Sequence, residues 1–469
     1  MATRHENGMS GPSQTAGSNN WILVTCILAS SLSFIDGSVI NVGLPAIARS
    51  FHADSADLQW VINGYLLPLG ALLLLGGAAG DRFGRKRLLI LGTAIFAIAS
   101  LACALAGSLP LLLAARLAQG IGAAILLPNS LAILGASFEG EAKGRAVGIW
   151  AAAGAVLGAI GPVLGGWLID TVGWRTIFLI NLPPAAGALI LAVIFVKENA
   201  SETDAPGLDW MGGLLATVSL GCVTWGLTVG AGPQGWGLSA ILTCIAGLGF
   251  AGAFLGVEAR LGNQAMMPLG MFGSGTFAGL TLVTWLLYGA LGALMVLVPY
   301  VLIEAVHYTG TGAGAALLPF AVILALTSPL IGAIAQKTGP RLPLTIGPLG
   351  VAAGFLLLLR MDSGSTYWTQ VFPGILIIAL GMACAVAPLT TAVLSSVDKR
   401  HAGSASGFNS AVARTAGMMA TALLGGVLGA TGDGLIKGFH TAVVICAAAC
   451  LAASAGAFFL ISATPERQA

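Results

Sequence analysis

Charge is scarce in this sequence: 8% of its 469 residues are Asp, Glu, Lys or Arg, against about 25% in soluble proteins. That excludes an ordinary soluble globular fold. Polar tracts are confined to the two ends and one internal segment, and a chain so poor in charge cannot remain disordered. Basic excess is missing as well, with 20 Lys and Arg against 18 Asp and Glu, so no nucleic-acid partner is expected. The five histidines (His5, His52, His307, His401, His440) are scattered. No H-E-x-x-H, G-x-S-x-G or G-x-x-x-x-G-K-[ST] occurs, which argues against a metalloenzyme, a serine hydrolase and an ATP-driven pump. The seven cysteines all lie in apolar runs, where thiols pack as small hydrophobes, so neither a disulfide framework nor a metal site is expected. The expectation is no cofactor and no enzymatic activity.

What the sequence has in abundance is apolar length: 57% hydrophobic residues and 67 glycines. Stretches near the ~20 residues needed to cross hydrocarbon predict fourteen helices. Six lie at Trp21–Leu44, Leu58–Gly80, Leu88–Gly107, Leu109–Ala136, Arg145–Ile169 and Thr176–Val196. Eight more lie at Asp209–Gly230, Trp236–Val257, Gly275–Ile303, Gly312–Ala335, Leu342–Leu359, Thr369–Val397, Ser404–Ala430 and Gly438–Ile461. Residues 1–20 read as a disordered cytoplasmic tail, without the pattern of a signal peptide. Residues 197–208 read as a cytoplasmic linker and 462–469 as a second tail. Fourteen Lys and Arg fall on the side of the termini and four on the other. The positive-inside rule then predicts a multi-pass protein of the cytoplasmic (inner) membrane with both termini cytoplasmic.

An internal repeat divides the chain. GAAGDRFGRKR from Gly77 is echoed by GAIAQKTGPRL from Gly332, GRAVG at Gly144 by GSASG at Gly403, and Pro128 by Pro388. The offsets of 255, 259 and 260 residues exceed the roughly 180 to 200 that six spans and their loops require. Two additional helices, within 209–257, therefore separate six-helix bundles at 21–196 and 275–461. An even number of spans between copies makes them parallel repeats with the substrate site between them near the midplane.

Several ordered motifs add a family likeness. FIDGSVINVGLP (Phe34 to Pro45), LQWVINGYLL (Leu58 to Leu67), GAAGDRFGRKR (Gly77 to Arg87), LAARLAQGIGAA (Leu113 to Ala124), GAVLGAIGPVLGG (Gly154 to Gly166) and WRTIFLINLPP (Trp174 to Pro184) together resemble the major facilitator superfamily, specifically its fourteen-helix drug/proton antiporter branch. The resemblance implies an all-α integral membrane protein with the major facilitator fold in a 6 + 2 + 6 arrangement. It also implies a gating loop built from Gly77, Asp81, Arg82, Gly84 and Arg85, a latch that the second copy lacks because Gln336 replaces the aspartate.

Individual residues carry physical readings beside that likeness. Gly154, Gly158, Gly161 and Gly165, with Pro162 and Gly166, form a small-residue stripe that lets a neighbouring helix approach closely; in the family it seals the outer side. Arg116, Gln119, Gly120 and Ala123 share one helix face, and a guanidinium within a span must find a partner or water. Asp36 is the carboxylate deepest in the first-half spans. Burial favours its neutral form and a nearby arginine its anion, opposing influences that suit a group taking up and releasing protons. A structural ion pair is the competing reading for Asp36, and snorkelling to the surface for Arg116. The resemblance implies proton coupling for both.

Asn41, Trp60, Asn63, Tyr65, Gln119, Asn129, Asn409 and Arg414 are the expected lining of the substrate cavity. Glu304, His307 and Asp209 read as solvated. The expected activity is export of hydrophobic or amphipathic compounds in exchange for protons by alternating access, conferring multidrug efflux and antibiotic resistance. The alternative is proton-coupled export of one endogenous metabolite or lipid. Expected partners are the lipid bilayer, a small-molecule substrate and protons, with accessory export proteins as further candidates.

Overall fold

A computed structural model describes residues 12–198, 208–232, 235–262, 265, 267, 269–397 and 402–461. The C-terminal tail and most of the expected linker lie outside these residues. All of the regular structure described is helical: α1 (Pro12–Phe51), α2 (Ser55–Phe83), α3 (Arg85–Leu105), α4 (Leu109–Ser137), α5 (Gly140–Thr171), α6 (Thr176–Leu179), α7 (Leu182–Phe195), α8 (Trp210–Ala231), α9 (Leu238–Leu261), α10 (Gly275–Glu304), α11 (Gly310–Ala316), α12 (Leu318–Thr338), α13 (Arg341–Leu357), α14 (Phe372–Ser395), α15 (Ala402–Ala422), α16 (Gly425–Leu428) and α17 (Gly432–Leu460).

Thirteen helices among the described residues are long and apolar enough to cross a membrane, against the fourteen expected. The predicted thirteenth span forms α15, but Asn409, Arg414 and its serines and threonines make it too polar for that class. Other boundaries move for local reasons. The first helix begins at Pro12 rather than Trp21, so the tail read as disordered is helical from that proline. The sixth span breaks into α6 and α7 and the tenth into α11 and α12. Each break precedes a proline, Pro183 or Pro319, in the first turn of the next piece, where a missing N–H costs nothing.

The two bundles repeat one set of neighbours. In the first, α3 and α2 pack on α4, and α1 on α5 and α7; in the second, α13 and α12 pack on α14, and α10 on α15 and α17. α8 and α9 pair with each other, and α8 also touches both α2 and α15. Gln59 of α2 knits that junction: with its amide turned to satisfy both ends, the nitrogen donates to Thr228 Oγ1 (3.0 Å) and to the Ala422 carbonyl (3.1 Å).

Candidate functional site

Two sites lie at the heart of the molecule, a buried polar network within the first bundle and a cavity between the bundles. The network begins with Arg116 on α4, whose side chain is fully buried; it does not snorkel. Its Nη1 donates to Asp36 Oδ2 (2.5 Å) and Gln119 Oε1 (2.7 Å), and its Nε to the Val61 carbonyl (2.9 Å). Gln119 Nε2 donates in turn to Asp36 Oδ1 (2.7 Å) and Ser100 Oγ (2.8 Å). Asn181 Nδ2, at the break between α6 and α7, reaches the same two oxygens at 3.3 Å. The guanidinium lies 4.5 Å above the Tyr65 ring, a cation–π contact, and the Tyr65 hydroxyl bonds Ser33 Oγ at 2.6 Å.

The helical spacing explains why Arg116 and Gln119 act together: residues three apart share a face. Gly120 completes that face, since a Cβ there would strike the Tyr65 carbonyl. A charge pair this deep is held by its extra hydrogen bonds, and removing one partner of such a pair costs about 3–5 kcal/mol. Asp36 thus sits in the ion pair that the sequence offered as its competing reading, with no opening to the cavity. Sequence reading missed Asn181 and Ser100, although both stand among the apolar residues of spans. The signal available was an unpaired buried amide and hydroxyl, each of which needs a partner.

The cavity, about 500 Å³ in volume, lies between α1, α2, α10, α14 and α15. Asn41, Asn409 and Arg414 line it, beside an apolar wall that includes Phe34, Tyr288 and Met295. The other five expected lining residues do not. Trp60 turns outward onto Trp225 of α8, ring centroids 5.8 Å apart. Tyr65 and Gln119 belong to the buried network. Asn129 bonds the Gly76 and Ile125 carbonyls and fills the notch left by Gly80. Asn63 is fully buried, and its amide has no hydrogen-bond partner among the described residues.

The halves close at the face opposite the α2–α3 loop. Gly166 is so tight against α11 that a Cβ would collide with the Gly310 carbonyl, and one on Gly314 would collide with that of Pro162. Asp170, which the sequence reading overlooked, accepts from Gly310 N (3.0 Å), Thr311 N (2.8 Å) and Thr311 Oγ1 (2.6 Å), satisfying free N–H groups at the start of α11. Arg49 pairs with Glu304 at 2.8 Å, so that carboxylate is not merely solvated. Asp209 is likewise engaged, accepting from Gly212 N at the start of α8. The glycine stripe does two jobs rather than one. Gly154, Gly161 and Gly165 receive Phe34, Ser38 and Val39 of α1, Gly158 faces open space, and only Gly166 and Pro162 meet the other half.

At the opposite end, Arg85 pairs with Asp81 one helical turn away at 2.8 Å and donates to the Ala132 carbonyl at 3.4 Å. Gly84, at φ 102°, turns the chain between α2 and α3, a conformation open to glycine. Gly77 lies against Pro128, and Arg82 is exposed. Glu198 accepts from Lys86 N (3.1 Å) and Arg87 N (3.2 Å), capping α3 with an anion where the helix dipole favours one. The Gln336 side chain lies outside the described residues.

Two of these contacts yield modest predictions. Loss of the exposed Arg49–Glu304 pair through Glu304→Gln should change unfolding stability by less than ~1 kcal/mol. Asp170→Ala, which strips a cap from α11, should cost about 0.5–2 kcal/mol. Thermal unfolding in detergent ranks the two, and the reverse order would show that the exposed pair, not the cap, holds this face.

Comparison with known proteins fits this architecture. The sequence profile of the Major Facilitator Superfamily matches residues 26–283 and 280–469. The multidrug resistance protein Stp of Mycobacterium tuberculosis is 34% identical over 412 residues, covering 87% of this chain and 75% of Stp. The tetracenomycin C resistance and export protein of Streptomyces glaucescens is 31% identical over 395 residues, 83% of this chain and 72% of that one. Among solved structures, a bacterial homologue of the human lysosomal transporter Spinster, inward-facing and unoccupied, superposes with a TM-score of 0.65 at 19% identity, over 94% of this chain and 97% of that one.

Proposed function

The chain belongs to the major facilitator superfamily, a family of membrane transporters, and from that premise we propose that it exports hydrophobic or amphipathic compounds across the cytoplasmic membrane in exchange for protons. The observation that carries this reading is the pairing of a mostly apolar central cavity with a buried carboxylate, Asp36, one residue before the cavity-lining Gly37. Relatives named for drug resistance and, in one case, for export support the direction of transport.

In this reading the α2–α3 loop faces the cytoplasm, as its run of basic residues favours. The state described is closed to the outside at Gly166 and Gly314, and substrate enters from the cytoplasmic side. In the state described Arg116, Gln119 and Asn181 all donate to the Asp36 carboxyl group. A proton arriving from outside removes the anion that Arg116 needs, loosens α1 from α4, and so couples protonation to the rocking of one bundle on the other. One proton crossing 100 mV supplies about 2.3 kcal/mol, enough for some forty-fold accumulation at 1.4 kcal/mol per decade.

A resistance panel tests the proposal. Expression in a pump-deficient host should confer resistance to several chemically unrelated hydrophobic toxins, and a proton uncoupler should abolish it. Resistance indifferent to the uncoupler, or none to any toxin, would overturn the reading. The latch carries its own test. Charge reversal by Asp81→Arg, which sets a cation against Arg85, should slow turnover about tenfold or more, as for loss of a coupling of roughly 1.4 kcal/mol. A matching change at Gln336 should have little effect. Equal losses would argue against unequal gates.

A further inference from the structure

The charge inside the central cavity is unbalanced. Asp36 and Arg116 neutralise one another behind the cavity wall, whereas Arg414 lines the cavity itself. No acidic residue lines the cavity with it, and Arg414 has no ion pair or hydrogen bond among the described residues. Its surroundings on α15 are a hydroxyl, Ser410, one turn before it, and the amide of Asn409, whose oxygen accepts from Thr284 Oγ1 at 2.6 Å. Across from it on α2 is Gly70, where an added Cβ would lie 3.8 Å from the arginine's own Cβ.

A guanidinium in a span is costly unless it is hydrated or paired, and its planar fork matches a carboxylate, sulfonate or phosphate bidentately. Most of the remaining wall is aromatic and aliphatic surface, including Phe34, Leu66, Tyr288 and Met295, interrupted by the uncharged polar side chains of Asn41, Thr390, Ser406 and Thr421. From these observations we infer that the transported compounds are amphipathic anions: an apolar ring system packs on the Phe34 and Tyr288 side, and its acidic group pairs with Arg414. A cation of the same shape meets an unscreened like charge and no carboxylate, so it is disfavoured. The inference rests on the export reading only for the word "transported"; recognition of an anion is a property of the cavity alone.

Equilibrium binding to the full purified chain separates the two claims, because binding needs no proton gradient. Two xanthene dyes of one ring skeleton serve as probes, one carrying free carboxylates and one a cationic ester, followed by fluorescence polarisation. Wild type should bind the anionic dye at least tenfold more tightly. Arg414→Gln should erase that preference and Arg414→Lys should keep most of it. Ser410→Asp, which places a carboxylate one turn from Arg414, should reverse the preference with the arginine still present, so the test survives if Arg414→Gln fails to fold. Equal binding of both dyes, binding of neither, a preference for the cation, or an anion preference unmoved by Arg414→Gln and Ser410→Asp would each overturn the inference. Normal anion binding with no proton-driven movement would instead count against the export reading.

Discussion

Replacing Asp36 by asparagine is expected to reduce proton-driven transport to background while the protein still inserts and still exchanges substrate down its own gradient. The amide imitates the protonated carboxyl in shape but keeps a single oxygen, so it can accept from Arg116 Nη1 or from Gln119 Nε2, the donors that now engage the two Asp36 oxygens, and not from both. It cannot lose a proton, so the cycle should be held in the form in which Arg116 lacks its anion. A buried arginine without its counter-charge is also destabilising, by about 3–5 kcal/mol. The companion variant Asp36→Asn with Arg116→Gln should recover much of that stability without recovering coupling. Uptake into inverted vesicles under an imposed pH gradient measures coupling, and counterflow without a gradient measures exchange. Unchanged coupled uptake in Asp36→Asn would remove this carboxylate from the proton path and leave it a structural ion pair.

The second large effect is expected where the halves meet. Gly166→Val places a branched side chain against the Gly310 backbone, and backbone cannot yield as a flexible side chain does. Overpacking of this kind costs about 1–3 kcal/mol, which shifts a two-state balance roughly five- to 150-fold at 1.4 kcal/mol per decade. The closed arrangement of this face should therefore be depopulated and transport should fall with it. Cysteines at positions 49 and 304, whose native side chains meet at 2.8 Å, report closure through a short bifunctional cross-linker. Gly158→Val, on the same helix but facing open space, should cross-link and transport nearly as before. Normal cross-linking in Gly166→Val, or an equal loss in Gly158→Val, would mean that this contact does not govern closure.

Much of the fold was legible in the sequence because the bilayer imposes one dominant rule, that each crossing be a long apolar helix. The rule is weakest at α15, where Asn409, Arg414 and several serines and threonines dilute the apolar signal, and it is silent on the proline breaks before α7 and α12, which length alone cannot reveal. The site divided in the same way. Asp36, Arg116 and Gln119 stood out because charges and amides are conspicuous in apolar surroundings, and helical spacing placed two of them on one face. Which way a side chain points around its own helix was not legible. Trp60, Tyr65 and Asn129 have the right depth for a cavity but turn to α8, to Arg116 and to α2. Asn181 and Asp170 were missed for a different reason: their partners, Asp36 and the start of α11, lie more than a hundred residues away in the chain.

The placement of α8 against both α2 and α15 has a consequence for symmetry. A chain made of two parallel copies would present two equivalent flanks, each a seam where one bundle slides past the other. Gln59, Thr228 and Ala422 join three helices across one of these seams, and the Trp60–Trp225 contact backs that junction from outside. The other seam, between α5 and the α11–α12 pair, has no such buttress among the described residues. The inserted hairpin thus makes the particle lopsided: one edge is splinted, and the other is left bare to the surrounding hydrocarbon.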